Sequence, residues 1–177
     1  MLEPVITTDR LLIDPPSHTD LDALAELWSD EHTMRYIGAG NAWSRSQIAE
    51  RIDRAIKTHR QHGMTFWTIK ERSTGMIIGQ GGLVPIEFNG PEIELGYRLG
   101  KDHWGKGYAT EIAKASARYG LTSLGLDELV AVCDEHNDAS RVVLSKVGFR
   151  EIGLSQAYYN TSTILHRMNR DDFERVG

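Results

Sequence analysis

The chain is short of the features that would assign it at sight. It has a single cysteine, Cys133, which excludes an internal disulfide. Within the apolar run Leu129-Val-Ala-Val-Cys133 it reads as a small buried thiol. No apolar run approaches the ~20 residues that span a bilayer, and no basic and then apolar leader opens the sequence, so a soluble, cytoplasmic protein is expected. The seven histidines are scattered. His59 and His62 are close together but have no Cys or carboxylate at ligand spacing, so they read as a helix end and no metal is expected. An excess of positive charge is also missing. The net charge of −5 argues against nonspecific binding to nucleic acid or to anionic membrane and would tolerate cationic substrates such as amines. Repeats, low-complexity stretches and linkers are absent as well. The 177 residues, 40% hydrophobic, suffice for one domain over 1–177.

What is present reads as alternating elements. Arg10–Asp14 forms a short strand stopped by Pro15 and Pro16. Thr19 with Asp22 starts a helix in which Leu21, Leu24, Ala25 and Trp28 recur at helical spacing. Ser44 with Gln47 makes a capping box for a second helix, whose apolar face Ile48, Ile52, Ala55 and Ile56 ends at Gly63. Strands follow over Thr65–Lys70, Met76–Val84 and Glu92–Leu99, joined by turns at Ser73–Gly75 and Asn89–Gly90. A helix then starts at Gly107, with Ile112, Ala113, Ser116, Ala117, Leu121 and Leu124 on one side. Next come a strand over Glu128–Cys133, a helix over Asn137–Val147 stopped by Gly148, and strands over Phe149–Leu154 and Ser162–Met168. The order predicts an α+β fold, or α/β hybrid, with helices packed on a central mixed sheet.

The segment Glu92–Thr110 carries the most chemistry, because a strand there runs into a glycine turn that opens a helix. Gly105 and Gly107 let the backbone turn tightly and present N–H donors to an anion, and the helix start adds its positive end. Several ligands fit that description. Gly100-Lys-Asp-His-Trp-Gly105-Lys106-Gly107 comes close to a P-loop, but Gly107 stands where the magnesium-binding hydroxyl belongs. A dinucleotide fingerprint, GxGxxG, is absent. A turn with no ligand is the remaining plain alternative.

Trp104-Gly-Lys-Gly107-Tyr-Ala109 resembles the acetyl-CoA pyrophosphate loop of the GNAT acetyltransferases, [RQ]-x-x-G-x-[GA], with Trp104 departing from its first position. Asn137-Asp-Ala-Ser140 and Lys146-Val-Gly148-Phe149 are similar to that superfamily's second cofactor motif, and Thr8-Asp-Arg10-Leu-Leu with Glu94-Leu-Gly96-Tyr97 resembles its RimJ/RimL branch, which acetylates protein N-termini. The resemblance covers nearly the whole chain. It implies a largely antiparallel sheet splayed between its fourth and fifth strands, Glu92–Leu99 and Glu128–Cys133. Acetyl-CoA would lie in the split, its diphosphate on the N–H groups of Gly105, Lys106, Gly107, Tyr108, Ala109 and Thr110. Trp104, Tyr97, Leu99, Asn137 and Lys146 complete the implied cofactor contacts.

Acetyl transfer needs a neutral amine, and an α-amine with a pKa of about 8 is partly neutral at pH 7, so a carboxylate base suffices. Glu94 is the expected base, on a strand where Glu92 shares its parity. The leaving thiolate is helped by a proton donor. Many family members use a tyrosine where this chain has Leu144, which leaves Ser140 as the candidate. An acceptor would enter past Asp30, Glu31, Tyr36, Trp43, Tyr158 and Tyr159. The expected partners are an amine, at a protein N-terminus (a ribosomal protein in the branch reading) or on a small molecule, and a second copy of the chain if it forms a homodimer. A CoA-binding module without turnover would carry the same loop.

Overall fold

The computed structural model describes residues 5–176. Eight strands form one sheet in the order β1-β2-β3-β4-β5-β6-β8-β7. They are β1 (Ile6–Thr7), β2 (Leu11–Asp14), β3 (Phe66–Glu71), β4 (Ile77–Pro85), β5 (Ile93–Leu99), β6 (Glu128–Cys133), β7 (Arg150–Ser155) and β8 (Thr163–Asn169). Every neighbouring pair is antiparallel except β5 and β6, which run parallel and meet only at Glu94 opposite Val130. The expected splay is therefore present between the expected segments. They are the fifth and sixth strands because the two-residue β1, too short to show any periodicity, precedes them.

Helices cover both faces. The adjacent β4 residues Ile77 and Ile78 alternate across the sheet. Ile78 joins a core closed by α4 (Tyr108–Arg118) and α5 (Asp138–Val147), whereas Ile77 packs on a smaller cluster built by α1 (Leu21–Trp28), α2 (Glu31–Met34) and α3 (Arg45–His62). A short α6 (Arg170–Glu174) ends the fold. The sequence pattern missed α2 and α6, whose four and five residues are too few to establish a helical stripe.

Two local expectations are corrected. The cap ahead of α1 is Ser17, whose N–H donates to Asp20 Oδ2 at 2.9 Å, because a single turn of 3₁₀ helix (His18–Asp20) precedes the α-helix. The β4–β5 connection is not a two-residue turn at Asn89–Gly90. It is a wider excursion, with Glu87 and Phe88 at φ 54° and 63°, that brings Phe88 to the cavity described below and Glu87 to Tyr159.

The long helix α3 starts as its sequence indicates. Gln47 N–H donates to Ser44 Oγ at 3.3 Å, Ser44 N–H donates to Gln47 Oε1 at 2.8 Å, and Gly63 closes the helix at φ 68°. Replacing Ser44 with Ala leaves the Gln47 N–H without its side-chain partner. Urea unfolding should show a loss of about 1 kcal/mol with an unchanged m-value.

Candidate active site

Gly105 and Gly107 turn the chain out of β5 with φ of 71° and 79°, and Gly107 is the N-cap of α4. Glycine has no side chain to cap a helix, so the first N–H groups of α4 stay available. The carbonyl of Lys106 is drawn the other way, accepting from Arg10 Nη1 at 2.8 Å. Arg10 in turn pairs with Glu111 on the first turn of α4, at 2.7 Å from Nε and 2.6 Å from Nη2, and lies 4.6 Å from the Tyr108 ring. Thr8 Oγ1 donates to the same Glu111 at 2.6 Å. Residues 8 and 10 therefore brace the turn so that its N–H groups, not its carbonyl, face outward. Trp104 faces elsewhere: its indole N–H donates to the Leu99 carbonyl at 2.8 Å, and its ring packs on His32.

Beyond this turn the parted strands open a cavity of about 570 Å³. Past the single Glu94–Val130 pair, the β5 edge that faces β6 has no ladder partner. Across the gap the Tyr97 hydroxyl lies 3.0 Å from Ser140 Oγ and donates to the Ser140 carbonyl at 3.3 Å. Burial raises the pKa of Tyr97 well above the usual phenol range. Asn137 caps α5, its Oδ1 accepting from Ser140 N–H at 3.1 Å, which leaves its amide nitrogen free to donate. Cys133 also lines the cavity, and burial pushes its thiol up to about 11, so it stays protonated. Leu144 is buried beside Ser140. Lys146 is exposed on the last turn of α5 and does not line the cavity.

Glu94 lies at the apex of the fork with 6% of its surface exposed, and it too lines the cavity. Burial raises its carboxyl from the ordinary value of 4.5 to about 7; the Tyr159 hydroxyl, which donates to Oε2, and the charge of Arg98 partly oppose this. Tyr159 is fixed from both ends. Its N–H donates to Glu87 Oε1 at 2.6 Å, and its hydroxyl accepts from the Glu87 N–H at 3.4 Å. Glu92 is already committed, accepting from the Tyr158 hydroxyl at 2.8 Å and from Arg167 at 3.0 Å. Asp30 is paired with Lys101 at 2.9 Å and caps α2. Tyr36 and Trp43 do line the cavity. Arg51, Arg98 and Gln80, which sequence reasoning missed, line it as well. One signal was available: Arg98 has the same strand parity as Glu94.

A helix start with open N–H groups stands beside a parted sheet edge that has no ladder partner. Comparison with known proteins gives the family. Residues 10–150 match the acetyltransferase (GNAT) domain, and the chain belongs to that family. It is 30% identical over 155 residues to YoaA, an uncharacterized N-acetyltransferase of Bacillus subtilis (strain 168), with 88% of each chain covered. It is 27% identical to a protein of Aspergillus fumigatus named FsC-acetyl coenzyme A-N(2)-transacetylase, covering 90% of this chain and 70% of that one. Among solved structures, RimL, a ribosomal L7/L12 alpha-N-protein acetyltransferase, superposes with a TM-score of 0.80 at 17% identity over 96% of this chain and 95% of that one. The chain is thus a GNAT acetyltransferase, and its fold matches family structures.

Two outcomes follow from this geometry. Removing the brace with Arg10→Ala should weaken CoA binding on the order of tenfold in calorimetric titration, since a charge-assisted contact of this kind contributes roughly 1.5 kcal/mol. The second concerns pH. An unfolded Glu94 loses its proton near pH 4.5 and the folded one near 7. The stability that the protonated carboxyl contributes is therefore full below the lower value and lost as pH rises through the higher, about 3 kcal/mol in all. Urea unfolding of Glu94→Gln should show a flatter stability profile between pH 5 and 8 than the parent chain. Parallel profiles would contradict the assignment.

Proposed function

We propose that the chain transfers an acetyl group from acetyl-CoA to a primary amine by direct attack in a ternary complex, with Glu94 as the base. The observation that carries this reading is the setting of Glu94. It is a buried carboxylate, raised to about 7, that lines the same cavity as the parted strands. A base with a pKa near the working pH is both free to accept a proton and basic enough to hold it.

The residues present fit the donor. The open N–H groups of Gly105–Thr110, with Lys106 nearby, suit a diphosphate. The edge of β5 at Tyr97 and Leu99, which has no ladder partner although the Leu99 carbonyl takes the Trp104 indole N–H, suits an extended chain of amides together with the Asn137 amide nitrogen. Lys146, on the helix packed against α4, adds positive charge on that side. When bound, the donor supplies an acetyl group activated as a thioester. Glu94 then accepts a proton from the amine while Tyr159 holds its carboxylate in place. The Tyr97 and Ser140 hydroxyls occupy the role that a tyrosine at 144 would fill, offering a hydrogen bond to the departing sulfur. Because Tyr97 is raised rather than lowered, it stabilises the thiolate as a hydrogen-bond donor more than it gives up its proton. Much of the rate then comes from positioning.

In the RimJ/RimL-like reading, cytoplasmic and acting on a protein N-terminus, the motif at Thr8 and Arg10 counted toward the branch. Its work on the phosphate turn gives it a donor-side reason that says nothing of the acceptor.

Release of free thiol from acetyl-CoA in the presence of an amine panel tests the activity. Glu94→Gln should lower kcat on the order of a hundredfold with the KM for acetyl-CoA little changed, and the parent's kcat/KM should rise through about pH 7. An unchanged kcat would remove Glu94 from the role of base.

A further inference from the structure

The cavity wall also carries two guanidinium groups that no carboxylate pairs directly. Among the described residues, neither Arg51 nor Arg98 has a carboxylate within 4.0 Å, and neither donates a hydrogen bond to the protein. The two guanidinium groups share one aromatic ring instead of a salt-bridge partner: Arg51 lies 3.6 Å and Arg98 4.5 Å from the centroid of Trp43. Arg98 is also 5.2 Å from Trp28. Burial and the charge of Arg51 hold Arg98 down to about 9, with Glu94 pulling the other way, while burial and the charge of Arg54 hold Arg51 down. Both remain cationic at neutral pH, and two neighbouring cations withdrawn from water are costly unless an anion joins them.

A second observation points the same way. Gln80 is 6% exposed, its side chain makes no hydrogen bond among the described residues, and it lines the cavity together with the two arginines. Behind it is a hollow of about 20 Å³, bordered by Arg51, Arg98 and the hydroxyl-bearing Thr65, whose Oγ1 is buried without a partner. Buried amide and hydroxyl groups are normally satisfied in folded proteins. Here they converge on the two guanidinium groups, which pair with carboxylates through fixed, forked donors.

Glu94 and Arg98 lie on one face of β5, four residues apart. That places their Cα atoms roughly 13 Å apart, less the reach of both side chains. An amine presented to Glu94 and an anion held at Arg98 therefore belong to one small molecule. Phe66, Phe88 and Trp43 supply apolar walls between them.

We infer that the acceptor is an amino acid-type molecule, with its primary amine at Glu94 and its carboxylate held by Arg51, Arg98 and Gln80. This rests on the acetyltransferase reading above and names the acceptor class for the same site. Of the rim expected from the sequence, Tyr36, Trp43 and Tyr159 line the cavity, whereas Tyr158, Asp30 and Glu31 do not, and Arg51 and Arg98 line it instead. Selectivity would come from charge and hydrogen bonding: an acceptor lacking the carboxylate leaves these buried donors unpaired, which a polar pocket penalises strongly.

The test uses matched acceptors with the full chain: free L-amino acids, their carboxamides and the corresponding decarboxylated amines, each with acetyl-CoA, followed by thiol release. Amino acids should be preferred on the order of tenfold or more in kcat/KM. Arg98→Gln and Arg51→Gln should each raise the acceptor KM on the order of tenfold and narrow that preference, while the KM for acetyl-CoA stays within about twofold. Acetylation of carboxamides or decarboxylated amines as well as of the acids would overturn the inference and leave the acetyltransferase reading standing. If no amine is acetylated, thermal stabilisation decides: an upward shift of Tm by amino acids but not by carboxamides, lost in Arg98→Gln, supports the anion site without turnover, and no shift by either overturns it.

Discussion

The structure depends on two strands that part. Along most of the sheet each strand satisfies its neighbour's backbone groups, but β5 and β6 share only the pair Glu94 and Val130. Unmade ladder bonds are costly unless something else fills them, and the fold maintains the gap from both sides. β5 is anchored to β4 through seven residue pairs, and β6 to β8 through six. With both outer edges fixed, the inner edges cannot close. The gap supplies a slot with unused donors and acceptors, and the turn after β5 supplies an anion site at the end of that slot.

The position of Glu94 follows from the same geometry. The residue at the apex of the fork is the last point at which the sheet still shields a side chain from water, and the raised carboxyl reflects that shielding. Two residues further along the same face, Gly96 has no side chain because a Cβ there would lie 2.8 Å from the ring of Phe66. Two more residues bring Arg98, turned under Trp43. One strand thus carries a buried carboxyl, a clearance and a cation in succession on one face, while Tyr97 on the other face reaches across to Ser140.

How much of this the sequence discloses depends on range. Signals that act within one turn are legible: Ser44 with Gln47, Asn137 at the start of α5, and Gly63 and Gly148 in the left-handed region at helix ends. The phosphate turn is legible for the same reason, since Gly105 and Gly107 announce a backbone conformation. Elements of two to five residues, such as β1, α2 and α6, leave no periodic trace. This part of the cavity is assembled from residues of α3, β4, β5 and the segment before β8, so no local pattern links Arg51 to Arg98 or Tyr159 to Glu94. The excursion at Glu87 hid behind an ordinary Asn-Gly turn signal, because the left-handed residues that shape it are a glutamate and a phenylalanine.

The brace at Arg10 also bears on how the chain folds. Its hydrogen bonds to Glu111 and to the Lys106 carbonyl span about a hundred positions of sequence, so they form only after the intervening chain has been gathered in, and long closures of this kind come late and slowly. The helix α4 can form from local contacts alone, but its start is held in shape only once the edge strand at the opposite end of the domain has docked. The shape of the glycine turn is therefore a property of the completed fold, and a partly folded chain with all its helices would still lack it.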